Sequence, residues 1–240
     1  MPQRFHLRVA RPRLSRAAAI LSSLFTLAVA NIAAAENFDF SEALQSLRNG
    51  ETVESVHVGG ATLRVDVEHH SSHVAVVFDT EHPKKYPELG TPNEEFDGPG
   101  EGHGGEPGRD GENESELGKV LVIAEDDVEL DDDECPSPEL DDGRICLSFS
   151  HAGYLTFKLI NVDDDDTHLV AYRDGQIVGE LEADDLGENS VQDIDLSGFG
   201  TVDRVVIDLE GVTAVAAIRL DVPVTAVQAR TWTEVKRSYR

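Results

Sequence analysis

THLVAYRDGQIVGELE, residues 167–182, decides the fold. Two runs that alternate apolar and polar residues flank Asp174-Gly175, and an Asp-Gly link between such runs is a strong local signal for a tight antiparallel hairpin. Gly59-Gly60 sits in the same way between VESVHV and ATLRVDVE. Outward from these two turns the period of two continues. LRVDVE (63–68), ICLSFS (145–150), RVVIDL (204–209) and AIRLDV (217–222) each set one apolar face against one polar face. Strands with one wet face pair antiparallel, so a parallel α/β sheet is disfavoured. KVLVIA (119–124) is apolar on both sides and reads as a central strand, and HVAVVFD, YLTFKLIN and SVQDIDL complete the set. Roughly ten short strands cannot cover their own apolar faces as one flat layer. The expectation is an all-β, antiparallel, jelly-roll-like β-sandwich over residues 53–224.

Only FSEALQSLRNG (40–50) has helical spacing, with Ser41 as the expected N-cap and Gly50 as the stop. It gives residues 36–52 the character of an N-terminal segment with a short helix. Ahead of it, residues 4–16 carry five arginines and no acid, 17–35 are small and apolar, and Ala33-Ala34-Ala35 offers a cleavage site. That is the layout of a secretory signal peptide over residues 1–35. A secreted, extracellular or cell-surface location follows, with the periplasm as the alternative. No transmembrane anchor is expected after cleavage, because no later run is apolar enough to span a bilayer.

The chain holds 47 Asp+Glu against 20 Lys+Arg, a net charge of −27. Losing a leader with five arginines makes the remainder more acidic still. Such a chain repels nucleic acid and anionic lipid and attracts cations. The acid runs DDVELDDDE (126–134) and DDDD (163–166) lack the alternating ligands and central glycine of an EF-hand, and they read as solvated turns. Residues 225–240, ending TWTEVKRSYR, form a basic tail holding the single tryptophan, Trp232.

Cys135 and Cys146, in CPSPELDDGRIC, are the only cysteines. In an exported chain an even pair this close is expected to form one disulfide. His69, His70, His73, His82 and His103 raise zinc as an alternative, without any HExxH or paired-cysteine spacing to support it. Catalytic motifs are absent: there is no GxSxG, P-loop or GxGxxG in a βαβ setting. Ser150 and His151 are adjacent on a strand, where side chains alternate faces, so they are not expected to meet. The chain is therefore read as a non-enzyme.

Between HVAVVFD and KVLVIA lies an insertion, 80–118, rich in glycine, proline and acid. Loops this long are functional or disordered. Tyr86, Leu89 and Phe96 can pin its first half to the sandwich, whereas Gly98 to Ser115 has no comparable anchors.

The blocks VVFDTEHP, ELGTPNEEFDGPGEGHGG and ELGKVLVIAEDD resemble an extracellular β-sandwich module of exported bacterial proteins, including many that carry a PEP-CTERM sorting tail. Those modules read FDT, DLGTPN, a Gly-rich run and LGNVLIISED, and the similarity spans roughly residues 75–222. It implies a fold and an address outside the cytoplasm. Glu88 stands where the module has Asp, and the basic tail lacks the sorting motif.

Asp79, Glu88, Asn93, Glu125 and Asp126 supply side-chain oxygens around the insertion, and calcium takes six to eight oxygen ligands. These five are the candidate calcium ligands, against the competing expectation of solvated acids on a mobile loop. The functional expectation is a non-catalytic binding or structural module, calcium-stabilised, whose partner is an extracellular polysaccharide or matrix protein. The alternatives are an interaction protein with no small ligand and a carbohydrate-active hydrolase or lyase.

Overall fold

The computed structural model describes residues 35–68, 73–125, 143–163, 167–209 and 211–223. Residues 1–34, the segment 126–142 with Cys135 and Asp126, His69 and His70, and the C-terminal residues with Trp232 lie outside these. Among the described residues there are eleven strands and one short helix: β1 (Glu36–Asp39), α1 (Ser41–Gln45), β2 (Ser55–Val58), β3 (Ala61–Glu68), β4 (His73–Asp79), β5 (Lys119–Glu125), β6 (Gly143–Ile160), β7 (His168–Arg173), β8 (Gln176–Glu182), β9 (Val191–Asp195), β10 (Val202–Leu209) and β11 (Ala214–Val222). The chain is all-β, with 52% strand, and every pairing between strands is antiparallel.

Both predicted hairpins form. Arg173 pairs with Gln176 across Asp174 (φ 51°) and Gly175 (φ 75°), the two positive φ values that the favoured two-residue turn requires. Val58 pairs with Ala61 across Gly59-Gly60.

The strands form one eleven-stranded sheet, because β6 belongs to both of its halves. ICLSFS and YLTFKLIN, expected as two strands, are a single 18-residue strand. The first half of β6 lies between β3 and β10, with Cys146 opposite Asp66 and Val206. Its second half pairs with β11 and β9, through Leu155 opposite Leu220 and Phe157 opposite Ile194. Ile145, Leu147 and Phe149 from the first half join Leu155, Phe157 and Leu159 from the second in one apolar cluster. The alternation read from the sequence is therefore the core face. The path runs β4-β5-β11-β6-β10-β7-β8, so β4 and β8 are its ends.

The N-terminal segment is part of this sheet: β1 pairs with β11, and Phe40 and Leu44 are fully buried in the core. α1 is shorter than its sequence pattern. Ser41 is inside it, and its N–H is capped by the Asp39 carboxylate at 3.0 Å.

Of the expected Cys135–Cys146 disulfide, Cys135 lies outside the described residues and Cys146 is a buried free thiol. Its sulfur lies on the outer face of β6, between β3 and β10 in the ladder. The Arg204 guanidinium donates to it at 3.5 Å and stacks over the Tyr172 ring, 5.2 Å from its centroid. Arg204 also pairs with Glu68 at 3.1 Å. Burial pushes the Cys146 thiol pKa up, although the Arg204 hydrogen bond pulls the other way. Arg204 from β10 and Glu68 from β3 thus form a cross-strand ion pair beside the sulfur.

Candidate functional site

The insertion 80–118 is folded, and backbone approach explains how. Leu89 is fully buried and Tyr86 packs edge-on against Phe78, with ring centroids 6.3 Å apart, so these two predicted anchors hold the first half. Phe96 is only half-buried. The second half is held by glycines laid against other backbone. A Cβ added at Gly105 would stand 2.5 Å from the Asn189 carbonyl oxygen, and one at Gly102 2.5 Å from that of Glu188. Three short 3-10 turns, 87–89, 94–96 and 103–105, shape the path, and the Thr91-Pro92 bond is cis.

Close backbone packing hides polar groups, which then need partners. Four buried asparagines supply them. Asn189 Nδ2 donates to the carbonyls of Gly90 (2.7 Å) and Glu88 (2.9 Å). Its Oδ1 accepts from Asn93 Nδ2 (2.7 Å) and Asn113 Nδ2 (3.0 Å). Asn93 Nδ2 also donates to the Gly102 carbonyl, and Asn113 Nδ2 to that of Gly90, both at 2.9 Å. Asn161 Oδ1 accepts from the Asn189 N–H at 2.7 Å, and Asn161 Nδ2 reaches the Val212 carbonyl at 2.8 Å. One amide network therefore joins the insertion to the segments around 161, 189 and 212.

The three blocks that carry the sequence resemblance also converge. Thr80 from FDT meets Thr91 from LGTPN, Oγ1 to Oγ1, at 2.5 Å and donates to the Gly118 carbonyl at 2.7 Å. Thr91 Oγ1 accepts from the Leu117 N–H at 3.0 Å. These residues build the loop and are not free to hold a ligand.

Over this scaffold opens a cleft of about 610 Å³. Glu88, Glu94, Glu101, Glu106, Asp163 and Glu188 line it, with His103 as its one ionisable base. Burial raises the Glu88 pKa, and the charges of Glu188 and Asp163 add to the rise. His103 is exposed and its Nδ1 donates to Glu106 Oε1 at 2.6 Å, a hydrogen bond that raises its pKa.

The four described candidate calcium ligands are not all brought together. Asp79 and Glu125 lie at opposite ends of the β4–β5 pair, since Asp79 faces Lys119 and His73 faces Glu125. Six residues at ~3.3 Å each separate them by about 20 Å. Asp79 is engaged by the Glu81 N–H (3.1 Å) and His82 Nδ1 (3.1 Å). Asn93 is buried with its amide committed to the network, its Oδ1 accepting from the Glu95 N–H at 3.0 Å. Glu88 and Asn93 both line the acidic cleft, Glu88 as the carboxylate of the pair. Asp126 lies outside the described residues. Among the described residues no group of three or more His, Cys, Asp or Glu stands close enough to hold a metal ion, and His73, His82 and His103 do not cluster.

Ser150 and His151 do meet, contrary to the strand-alternation expectation. Ser150 Oγ lies 2.9 Å from His151 Nδ1, close to where the β6 register shifts between Ser148 and Gly153. The serine oxygen also accepts from the Thr62 N–H, and the imidazole stacks on Phe38. The pair sits on exposed strand surface.

Glu101, Glu106, Asp163, Glu188 and the asparagines Asn113, Asn161 and Asn189 were missed by sequence reasoning. One signal could have found two of them: Gly-Glu-Asn occurs as 111–113 and again as 187–189, and these are the asparagines that meet.

Electrostatic crowding at Glu88 has a measurable consequence. Its pKa is higher in the folded state than the ordinary 4.5, so the folded chain holds the proton more tightly. Stability from this group is present below about 4.5 and lost as pH rises through the raised value. Glu88→Gln is expected to raise the thermal midpoint modestly at neutral pH and to match the wild type below pH 4.5, read by thermal unfolding across pH. Part of the side chain is solvated, which keeps the effect small.

The sequence matches no known family model and none of the curated proteins searched.

Proposed function

We propose that the chain is an exported, non-catalytic binding or structural module, of the kind its FDT, LGTPN and LG-x-VL blocks resemble, acting at the cell surface or outside it. Its working surface is the acidic cleft. The observation that carries this reading is a rigid one: a buried amide network fixes the insertion so that six carboxylates face one opening against a single histidine. Preorganised charge of one sign selects ligands of the other.

The ligand class is cationic. The described carboxylates surround the opening without converging on one point, which suits a hydrated divalent ion or an ammonium group better than a closed cage. Calcium is the ion we assign to it, held with its water between the cleft acids. A calcium ion retained there links the module to acidic polysaccharide or to a matrix protein. Among the described residues no Phe, Tyr or Trp lines the cleft, so a sugar ligand would be held through hydroxyl groups and bridging ions and not by stacking.

The test is thermal unfolding of the chain from Glu36 onward with calcium, with magnesium and with chelator, beside retention on an acidic polysaccharide column. Calcium is expected to raise the midpoint more than magnesium does, since a ligand that binds only the native state stabilises it. Glu88→Gln combined with Glu188→Gln should remove most of that shift. An unchanged midpoint in calcium overturns the calcium assignment, and a calcium-dependent shift without retention overturns the polysaccharide partner.

A further inference from the structure

We propose that β8 is an open docking edge that takes an extended, lysine- or arginine-bearing segment of a partner protein as an additional strand. This goes beyond the cleft and depends on different residues.

The sheet treats its two ends differently. Beyond β4, residues 49–53 close the edge: Gly50 N–H donates to the Val77 carbonyl at 2.6 Å, Val77 N–H to that of Glu51 at 3.0 Å and Val53 N–H to that of Ala75 at 2.8 Å. The Asn49 side chain caps the Asp79 N–H at 3.0 Å. Among the described residues β8, at the other end, is paired only with β7, and its second row of backbone groups meets nothing. It is seven residues long, whereas the edge strands β1 and β2 have four each.

Exposed edges are ordinarily blunted by charged side chains, above all lysine, by proline, by bulges or by short length. β8, QIVGELE, has no lysine, arginine or proline. Of the three large hydrophobic residues exposed among the described residues, two are adjacent on it, Ile177 at 57% and Val178 at 37%. Val178 coincides with a register shift near the turn, and from Gly179 to Glu182 the pairing with β7 is regular. The strand is anchored: Gly179 lies against the Phe199 ring with no room for a Cβ.

Charge selects the partner. Glu180 and Glu182 project from β8, and Asp184 and Asp185 follow at once, all exposed. Arg173, on β7 opposite Gln176, is already paired with Asp174 and Asp203, and His168 Nε2 stands 4.0 Å from Glu180. A second copy would bring the same acids to the same edge. A basic extended segment satisfies the backbone row, covers Ile177 and pairs with Glu180 and Glu182, the combination of main-chain affinity and side-chain specificity seen when a strand is added to a sheet.

The probe is a fluorescein-labelled peptide of alternating lysine and valine, long enough to match β8, titrated by anisotropy at physiological salt. Its control carries N-methyl groups on alternate amides, which removes one hydrogen-bonding edge and leaves the charge unchanged. The plain peptide is expected to bind, the methylated one to bind at least about tenfold more weakly. Ile177→Lys and Glu180→Lys should each weaken the plain peptide by about tenfold with the thermal midpoint unchanged. Equal binding of both peptides means bulk charge alone and overturns the proposal, as does binding of neither. A dimer in sedimentation that Ile177→Lys dissolves also overturns it, by giving the edge to a second copy.

Discussion

Asn189→Gly is expected to release the insertion 80–118 from the sheet while the β6 core stays folded. Asn189 sits at φ 61°, in the left-handed region that asparagine and glycine accept, so glycine removes the amide without adding backbone strain. What is lost is the meeting point of the network. The Gly90 and Glu88 carbonyls lose a donor, and the Asn93 and Asn113 amides lose an acceptor. Each buried group left unpaired costs about 1–3 kcal/mol. Some retain another partner, as Gly90 does through Asn113, so the total is about 4 kcal/mol and not the full sum. Limited proteolysis should cut within 80–118 in the variant and spare the wild type, and the urea midpoint should fall. Asn189→Asp separates geometry from chemistry. It keeps the acceptor but turns a carboxylate oxygen toward the Gly90 and Glu88 carbonyls, so it should destabilise at neutral pH and recover partly in acid. A protease pattern unchanged in both variants would show that the glycine contacts hold the loop without the amides.

Local turn chemistry made much of the sheet legible. Asp174-Gly175 and Gly59-Gly60 need only their own φ values and the alternation beside them, and both hairpins form where the sequence places them. Ile145, Leu147, Phe149, Val205 and Ile207 face the core because a strand's period is a property of its backbone. The identity of ICLSFS and YLTFKLIN as one strand was not legible. His-Ala-Gly lies between them, and only the neighbours on each side, β3 and β10 first and β11 and β9 after, show that one strand continues through it.

The site was less legible, for a physical reason. Composition treats glycine, proline and acid as signs of weak burial. Here glycine serves the opposite end, allowing one backbone to lie on another, and that depends on partners far away in sequence such as Leu186, Glu188 and Asn189. Carboxylates were chosen as ligands by their nearness to the insertion in the chain. Asp79 and Glu125 are near it, yet six ladder positions apart, whereas Asp163 and Glu188 are distant in sequence and share the cleft with Glu88. Cys146 has the parity of an outward residue in ICLSFS, which was readable, but its cover of Arg204 and Glu68 comes from two other strands.

The contrast between Gly90→Ala and Gly198→Ala tests whether backbone contact is what orders the insertion. Gly90 has φ −67° and ψ 141°, a conformation open to any residue, so alanine there meets no torsional penalty. It meets Gly100 and Pro99 instead: the added Cβ would stand 2.6 Å from Gly100 Cα, 2.7 Å from Gly100 N and 2.8 Å from the Pro99 carbonyl carbon. All three are backbone atoms, which cannot swing aside as a side chain end does. Relief requires the 98–100 segment to move, and that segment is tied by Gly100 N–H to the Pro92 carbonyl and by Glu94 N–H to the Gly100 carbonyl. Moving it also draws the Gly90 carbonyl from Asn113 and Asn189. Overpacking of this kind costs about 1–3 kcal/mol, and the strained amide pairs place the expected loss at the upper end. Gly198 has open space around the same added atom and no positive φ, so Gly198→Ala should be neutral or more stable by up to about 1 kcal/mol through the unfolded state. Chemical denaturation of both variants beside the wild type gives the two numbers. Equal, small effects would mean that the close approach of Gly90 to Gly100 yields to a methyl group, and the order of the insertion would then rest on the asparagine amides alone.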